Sequence, residues 1–340
     1  MRILVGIGWL LVICFTSCET KKDTVVEKVP QQDTTLSEKA LAFQAINDQL
    51  KANINDPTLY LKRAQLYKKY GDISSAVDDV DRAIKIDSLI PDFYLLKAEL
   101  LKSDNKLKEA KAALDQCMLV DNENIPARLE LGYLALVVKD YKQALDYADA
   151  VLKRNVYSAE AYYLKGMIFQ EKGDTALAIS SFITATEQET DYYDAYIHLG
   201  LLHMNSDLDL SKGYLKNALD LKPKSVEALY AYAMCCQERE EYNEAIETYH
   251  NILTISQIPE PYFNLGFIHQ EHLKTYEVAI ENYTKAINIA PNYFEAYYNR
   301  GLCNEELKKY QQAEEDFRSA LKINPTYTYA AVALERVLQQ

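Results

Sequence analysis

Five histidines and six cysteines are the side chains of this 340-residue chain that could bind a metal or act as nucleophiles. His269 and His272 stand three residues apart, a spacing that puts two ligands on one helical face, but no acidic residue or cysteine completes a known ligand set. The chain also has no HExxH, CxxC or GxSxG motif and no glycine-rich phosphate loop. The sequence therefore predicts no metal, no cofactor and no catalytic activity.

The chemistry that does recur is that of aromatic and small side chains. Residues 294–327 form a 34-residue unit that holds, at positions 4, 8, 17, 20, 24, 27 and 32, the residues Tyr297, Gly301, Tyr310, Ala313, Phe317, Ala320 and Pro325. This spacing is that of a helix-turn-helix repeat.

The same register runs through most of the chain. It divides the sequence into eight repeats: 57–90, 91–124, 125–158, 159–192, 193–225, 226–258, 259–293 and 294–327. The small residues at position 8 are Ala64, Ala98, Gly132, Gly166, Gly200, Ala233, Gly266 and Gly301. Small residues there predict that the two helices of a repeat cross with their backbones close together, since a bulky side chain would overpack the crossing. The seventh repeat has one extra residue, expected around Leu273 to Thr275.

These residues closely resemble the tetratricopeptide repeat (TPR). The resemblance covers residues 57–327 and implies an all-α fold, a right-handed α-solenoid of about eight repeats. Residues 36–56 have a helical apolar stripe and are expected to form an N-terminal capping helix, and residues 328–340 a C-terminal one, because repeat arrays need capped ends. Cys117, Cys235, Cys236 and Cys303 are expected to be buried thiols rather than disulfides.

By the geometry of the TPR family, positions 5 and 9 of each first helix line a concave groove. From the third repeat onward these positions hold Tyr133, Tyr163, Met167, Ile197, Leu201, Tyr230, Met234, Phe263, Phe267, Tyr298 and Leu302. An exposed apolar stripe of this extent usually marks a binding site, so we expect a protein or peptide partner there. Two alternatives stay open: the stripe is covered by the chain's own N-terminal segment, or it is covered by a second copy in a homo-association.

Position 2 of most repeats is acidic: Asp92, Glu160, Asp194, Glu227, Glu260 and Glu295. Each acid would sit in the first turn of a helix, where it stabilises the helix by about 0.3–1 kcal/mol. The same acids would also form a rim of the groove, where they would select a partner with basic residues.

The first residues of the chain are of a different kind. Arg2 precedes an apolar run, residues 3–15, that is too short to span a bilayer and is typical of a secretory signal peptide. The end of this run resembles a bacterial lipoprotein processing site, which implies removal of residues 1–17 and lipid attachment at Cys18. Residues 18–35 would then be a flexible tether. A simple secreted protein is the alternative.

The net charge of −13 argues against nucleic acid as a partner, because phosphate binding depends on Lys and Arg. Taken together, the sequence predicts a lipid-anchored scaffold or adaptor of the bacterial cell envelope, expected at the outer membrane on its periplasmic side. It would bind a segment of a partner protein in its groove. The alternative function is glycan binding, because aromatic stripes also stack on sugar rings.

Overall fold

The computed structural model describes residues 34–340, and side-chain burial from residue 38. The expected signal peptide, the expected lipid site Cys18 and the first part of the expected tether lie outside the described residues. The described part of the chain consists of α-helices and connections and contains no strand.

Sixteen helices form eight successive pairs, one pair for each sequence repeat. The first helices are α2 (Pro57–Lys69), α4 (Pro91–Ser103), α6 (Ile125–Val137), α8 (Ala159–Glu171), α10 (Tyr193–His203), α12 (Val226–Glu238), α14 (Pro259–Phe267) and α16 (Phe294–Glu306). The second helices are α3 (Ile73–Ile86), α5 (Leu107–Val120), α7 (Tyr141–Leu152), α9 (Thr175–Gln188), α11 (Leu208–Leu221), α13 (Tyr242–Ile255), α15 (Tyr276–Ile289) and α17 (Tyr310–Ile323). Before and after them lie α1 (Thr34–Ala52) and α18 (Thr328–Val337).

Each helix packs chiefly on the helix before it and the helix after it, so the molecule is an α-solenoid. First helices also contact the first helix of the next pair, as α6 does with α8 and α10 with α12. The first helices therefore line the inner side of the curve. This arrangement confirms the predicted all-α TPR-type solenoid.

The turn inside a pair usually requires a residue in the left-handed region. Gly71 and Gly173 supply it at φ 79° and 80°, whereas Asn105, Lys139, Glu240, Lys274 and Lys308 adopt it without being glycine. The fifth repeat, one residue shorter, has no such residue. There Asp207 caps α11 by accepting hydrogen bonds from the backbone N–H groups of Asp209 and Leu210.

The extra residue of the seventh repeat lies slightly earlier than the sequence indicates. It is absorbed by a π-helical turn, Ile268–His272, in which the N–H of Leu273 donates to the carbonyl of Ile268. A π turn accommodates one inserted residue without ending the helix, which the sequence pattern alone did not distinguish from a longer loop.

Basic side chains join several repeats to the helix before them. The Nζ atoms of Lys97 and Lys165 lie 2.7 and 2.9 Å from carboxylate oxygens of Asp81 and Asp149, which belong to the preceding second helix. Arg300 reaches back in the same way, and its Nη1 donates to Thr284 Oγ1 at 3.0 Å. These contacts hold successive repeats in one register.

In most repeats the core is a large side chain packed on a small residue. Position 24, or its counterpart in the shorter fifth and the longer seventh repeat, is fully buried and holds Val80, Leu114, Ala148, Phe182, Leu215, Tyr249, Tyr283 and Phe317. A Cβ atom added to Gly166 would lie 2.5 Å from the ring of Phe182, and one added to Gly301 would lie 2.6 Å from the ring of Phe317. The small residue at position 8 therefore makes room for a side chain of the second helix. The sequence analysis expected that a bulky residue would overpack this crossing, and the structure identifies the side chain that it would meet.

We predict opposite effects for two Gly→Ala substitutions. Gly166→Ala should lower the free energy of unfolding by about 1–3 kcal/mol, because the new methyl group overlaps the Phe182 ring. Gly213→Ala should raise it by about 0.5–1 kcal/mol, because Gly213 lies inside α11 with no atom within 4 Å of its added Cβ. Urea unfolding followed by circular dichroism measures both, and a shift of the same sign in the two variants would contradict the packing described here.

Candidate partner-binding groove

Four of the position-5 side chains bridge the core and the inner surface. The rings of Tyr163, Tyr230, Phe263 and Tyr298 lie 5.5, 6.0, 5.5 and 5.9 Å, centroid to centroid, from the buried position-24 ring of their own repeat. All four are half-buried. One side of each ring is therefore fixed by the core, and the remaining part lies on the inner surface of the solenoid.

A second set of rings, at the junctions between repeats, was missed by the sequence analysis. Tyr192 packs on Tyr163 at 5.1 Å, Tyr293 stacks on Phe263 at 5.0 Å, and Tyr327 meets Tyr298 edge-on at 5.2 Å. Each of these tyrosines is the last residue of its repeat. The recurrence of Tyr at that position is a signal that could have revealed them. We call the seven rings the aromatic row: Tyr163, Tyr192, Tyr230, Phe263, Tyr293, Tyr298 and Tyr327.

Not every residue assigned to the groove from the sequence lies on its surface. Ile197 is only 3% exposed and packs in the core beside Leu215, so it offers no surface to a partner. Met234 is 37% exposed and is the most accessible of the assigned residues. The others are half-buried: Tyr133, Met167, Leu201, Phe267 and Leu302.

Hydrogen bonds hold Tyr230 of the aromatic row, and a histidine that packs beside Tyr163, in fixed positions. Asn264 Nδ2 donates to the hydroxyl oxygens of Tyr230 and Tyr249, each at 3.0 Å. His198 stacks on Phe182 with ring centroids 4.9 Å apart, and its Nδ1 is 2.9 Å from Gln170 Oε1. Burial lowers the pKa of His198. The groove floor is therefore held rigidly by buried polar contacts.

The first-turn acids flank the aromatic row. Glu160, Asp194, Glu227 and Glu260 are exposed and Glu295 is half-buried. Among the described residues, no Lys, Arg or His lies within 4 Å of any of these five carboxylates as an ion-pair partner. Burial raises the pKa of Glu295, and burial together with the charge of Asp194 raises that of Glu227. These carboxylates thus carry negative charge that the chain itself leaves largely uncompensated.

The charge of the protein is concentrated in the part that carries the row. Residues 159–327 hold 26 acidic and 14 basic side chains, a net charge of −12, whereas residues 34–158 hold 19 and 18, a net charge of −1. The tyrosine pKa values near these acids are affected by their negative charge. Burial and then the charges of Asp194 and Glu227, among others, raise the pKa of Tyr163, and burial and the neighbouring charges raise that of Tyr327 to about 12.

One cluster has the composition of a metal site but is occupied by a lysine. Cys236, Glu241 and Glu244 lie close enough to share an ion. The Nζ of Lys212, however, is 2.7 Å from a carboxylate oxygen of each glutamate. Burial raises the pKa of Cys236 to about 12, so its thiol is protonated at neutral pH. The arrangement is a partly exposed ion-pair network between repeats.

The cysteine and histidine predictions can now be compared with the structure. Cys117, Cys235, Cys236 and Cys303 are buried and form no disulfide, as predicted. The π turn separates the two histidines noted in the sequence. His272 stacks on Tyr242 at 4.3 Å, whereas His269 Nδ1 lies 2.8 Å from Thr275 Oγ1.

The paired helices, nearest-neighbour packing and lined inner face define an α-solenoid repeat protein. Sequence models described as tetratricopeptide repeat match residues 91–124, 129–194 and 294–327, and one described as TPR repeat matches residues 273–308. The matched segments of this chain are tetratricopeptide repeats.

Curated proteins with the same repeats are only distantly similar. Human tetratricopeptide repeat protein 6 is 24% identical over 268 residues, which cover 77% of this chain and 51% of that protein. The human mitochondrial import receptor subunit TOM70 is 23% identical over 230 residues, or 65% of this chain and 37% of that protein. The chain thus spans about half, or less, of the length of these relatives.

Among solved structures, the crystal structure of the APC/C hetero-tetramer Cut9–Hcn1 matches with a TM-score of 0.54 and 20% identity. The match covers 92% of this chain and 61% of that one. At this identity the likeness shows the fold alone. In the described part of the present chain, none of the helices has the length and apolarity that a bilayer crossing requires.

We predict that a ring of the aromatic row, Phe263, contributes much more to the free energy of unfolding than the exposed groove residue Met234. Phe263→Ala should lower the free energy of unfolding by about 3 kcal/mol, because the ring lies between those of Tyr283 and Tyr293 and its loss leaves a cavity. Met234→Ala should change it by less than about 0.5 kcal/mol, because its side chain is exposed. Equal losses in urea unfolding would show that the ring is not part of the core.

Proposed function

We propose that this protein is a scaffold or adaptor that binds an extended or helical segment of a partner protein along the aromatic row. The observation that carries the proposal is the row itself. Its seven rings lie in the fourth, sixth, seventh and eighth repeats, and all seven are half-buried, so each keeps an accessible part. Rigid aromatic side chains lose little conformational entropy on binding and so make effective anchors.

The comparisons support a protein as the partner. The Cut9–Hcn1 structure is by its title a hetero-tetramer, and TOM70 is by its name an import receptor subunit. Both are proteins that assemble with other proteins. A similar role for this chain agrees with a groove that presents aromatic rings rather than a closed pocket.

Glycan binding is less well supported by the geometry. Four of the seven rings, Tyr163, Phe263, Tyr298 and Tyr327, each pack against at least two other aromatic rings, so wide open faces for a sugar are few. The connections between consecutive described helices are at most six residues long. The chain therefore lacks, in its described part, the long loops that would enclose a glycan.

We further propose that Cys18 is lipidated and that the protein acts in the bacterial cell envelope, at the outer membrane on its periplasmic side. The support comes from the sequence: Arg2, the apolar run after it, and the small residues Thr16 and Ser17 before Cys18. Two or more acyl chains give stable membrane attachment, whereas one gives only marginal binding.

Photocrosslinking tests the groove. A benzoylphenylalanine in place of Met234, which is exposed beside the row, should give a discrete adduct with a partner protein when whole cells are irradiated. The matched control carries the same group in place of Leu177, which is 50% exposed on the second helix α9. Adducts of equal yield from both positions, or from position 177 alone, would refute the assignment of the groove.

Fractionation tests the anchor. Cys18→Ser should move the protein from the membrane fraction to the soluble fraction, because no thioether-linked lipid can form. Cys14→Ser is the matched control, since it removes the neighbouring cysteine of the same segment and should leave the protein on the membrane. If Cys18→Ser stays with the membrane, the lipid anchor is wrong.

A further inference from the structure

The junction between the seventh and eighth repeats contains a recess at the edge of the aromatic row. It has a volume of about 330 Å³, and its lining includes Glu260, Tyr293 and Glu295 together with Pro259 and Ala290. Two carboxylates from successive first helices therefore flank one phenol ring. We call this site the acidic recess.

The carboxylates of the acidic recess have no cation of their own. Neither Glu260 nor Glu295 takes part in an ion pair among the described residues, although many acids elsewhere in the array do. Glu295 is half-buried, and the charges of both acids add to burial in raising the pKa of Tyr293. Uncompensated charge at a partly buried site is costly, and a cation placed there would reduce the cost.

Another junction of the array has a lysine of the chain itself beside an aromatic ring and a first-turn acid. Between the fifth and sixth repeats, the residue that ends the second helix is Lys222, and its Nζ lies 3.7 Å from the ring centroid of Tyr193. Its charge also lowers the pKa of the first-turn acid Glu227, against the larger effect of burial. An ammonium group there contacts an aromatic face beside a carboxylate.

At the acidic recess the corresponding helix-ending residue is Ala290, which supplies no charge and leaves space. Glu260 and Glu295 take the places of Asp194 and Glu227, so both carboxylates are kept. Tyr293 supplies an aromatic ring at the junction where the other site has Ser225. The acidic recess thus has an acid at each of the two positions that are acidic at the Lys222 junction. It also has an aromatic ring, but the chain supplies no cation there.

We propose that the partner segment bound in the groove is basic, and that one of its lysine or arginine side chains enters the acidic recess between Glu260 and Glu295, beside Tyr293. This proposal rests on the proposed function, because it specifies the partner of the same groove. The net charge of −12 on residues 159–327 would attract such a segment and orient it toward the C-terminal repeats.

Selection from a library of short random peptides displayed on phage, using the full chain purified in detergent, tests the proposal. Enriched peptides should contain an excess of Lys and Arg. Replacing the arginines of an enriched peptide by citrulline, which keeps the shape and removes the charge, should weaken binding about tenfold, or about 1.4 kcal/mol.

A matched pair of variants locates the effect. Glu260→Gln with Glu295→Gln should weaken binding of the same fluorescein-labelled peptide about tenfold. Glu247→Gln with Glu277→Gln removes the same amount of charge from exposed positions on the second helices α13 and α15 and should leave binding unchanged. Circular dichroism checks that both double variants remain helical.

The outcomes separate this proposal from the proposed function. Enriched neutral or acidic peptides that crosslink to position 234 would overturn the basic partner while leaving groove binding intact. Equal losses in the two double variants would overturn the acidic recess, since the effect would then be one of net charge. No peptide bound at the groove would contradict both proposals.

Discussion

The structure depends on one steric relation that recurs in most repeats: a large side chain of the second helix sits on a small residue of the first. Where position 24 is Phe182 or Phe317, position 8 is glycine, and the ring occupies the space a Cβ would need. Where position 24 is the small Ala148, Leu164 of the next repeat fills the space over Gly132 instead. The space over the glycine is thus filled in both cases, as dense packing requires.

This relation also creates the groove. Since the position-24 ring is held against the first helix, it supports the position-5 ring above it, and the junction tyrosine then packs on that ring. In the fourth, seventh and eighth repeats, core and candidate binding surface are therefore joined in one stack of three aromatic rings. A ring such as Phe263 serves both stability and recognition, so substitutions that test one will disturb the other. Residues at the edge of the row, such as Met234 and Glu260, separate the two roles.

The first three repeats and the later repeats differ in their balance of acidic and basic side chains. In the first three repeats acids and bases nearly balance, and contacts such as Lys97 with Asp81 tie one repeat to the next. In the later repeats the acids outnumber the bases, and the first-turn acids beside the row have no ion-pair partner in the described chain. First-turn acids stabilise their helices by about 0.3–1 kcal/mol each, and the same acids leave a negative field along the row that complements a cationic partner.

The sequence by itself determined the helical pairs, their register and the buried state of the cysteines, because small and large residues recurring at fixed intervals permit only one way of nesting helices. It also assigned a set of side chains to the inner face, and that assignment stays a prediction. It did not reveal the burial of Ile197, the π turn at Ile268–His272 or the junction tyrosines Tyr192, Tyr293 and Tyr327. These features were decided by tertiary structure, because the exposure of a side chain and the path of an inserted residue depend on how neighbouring helices pack on one another.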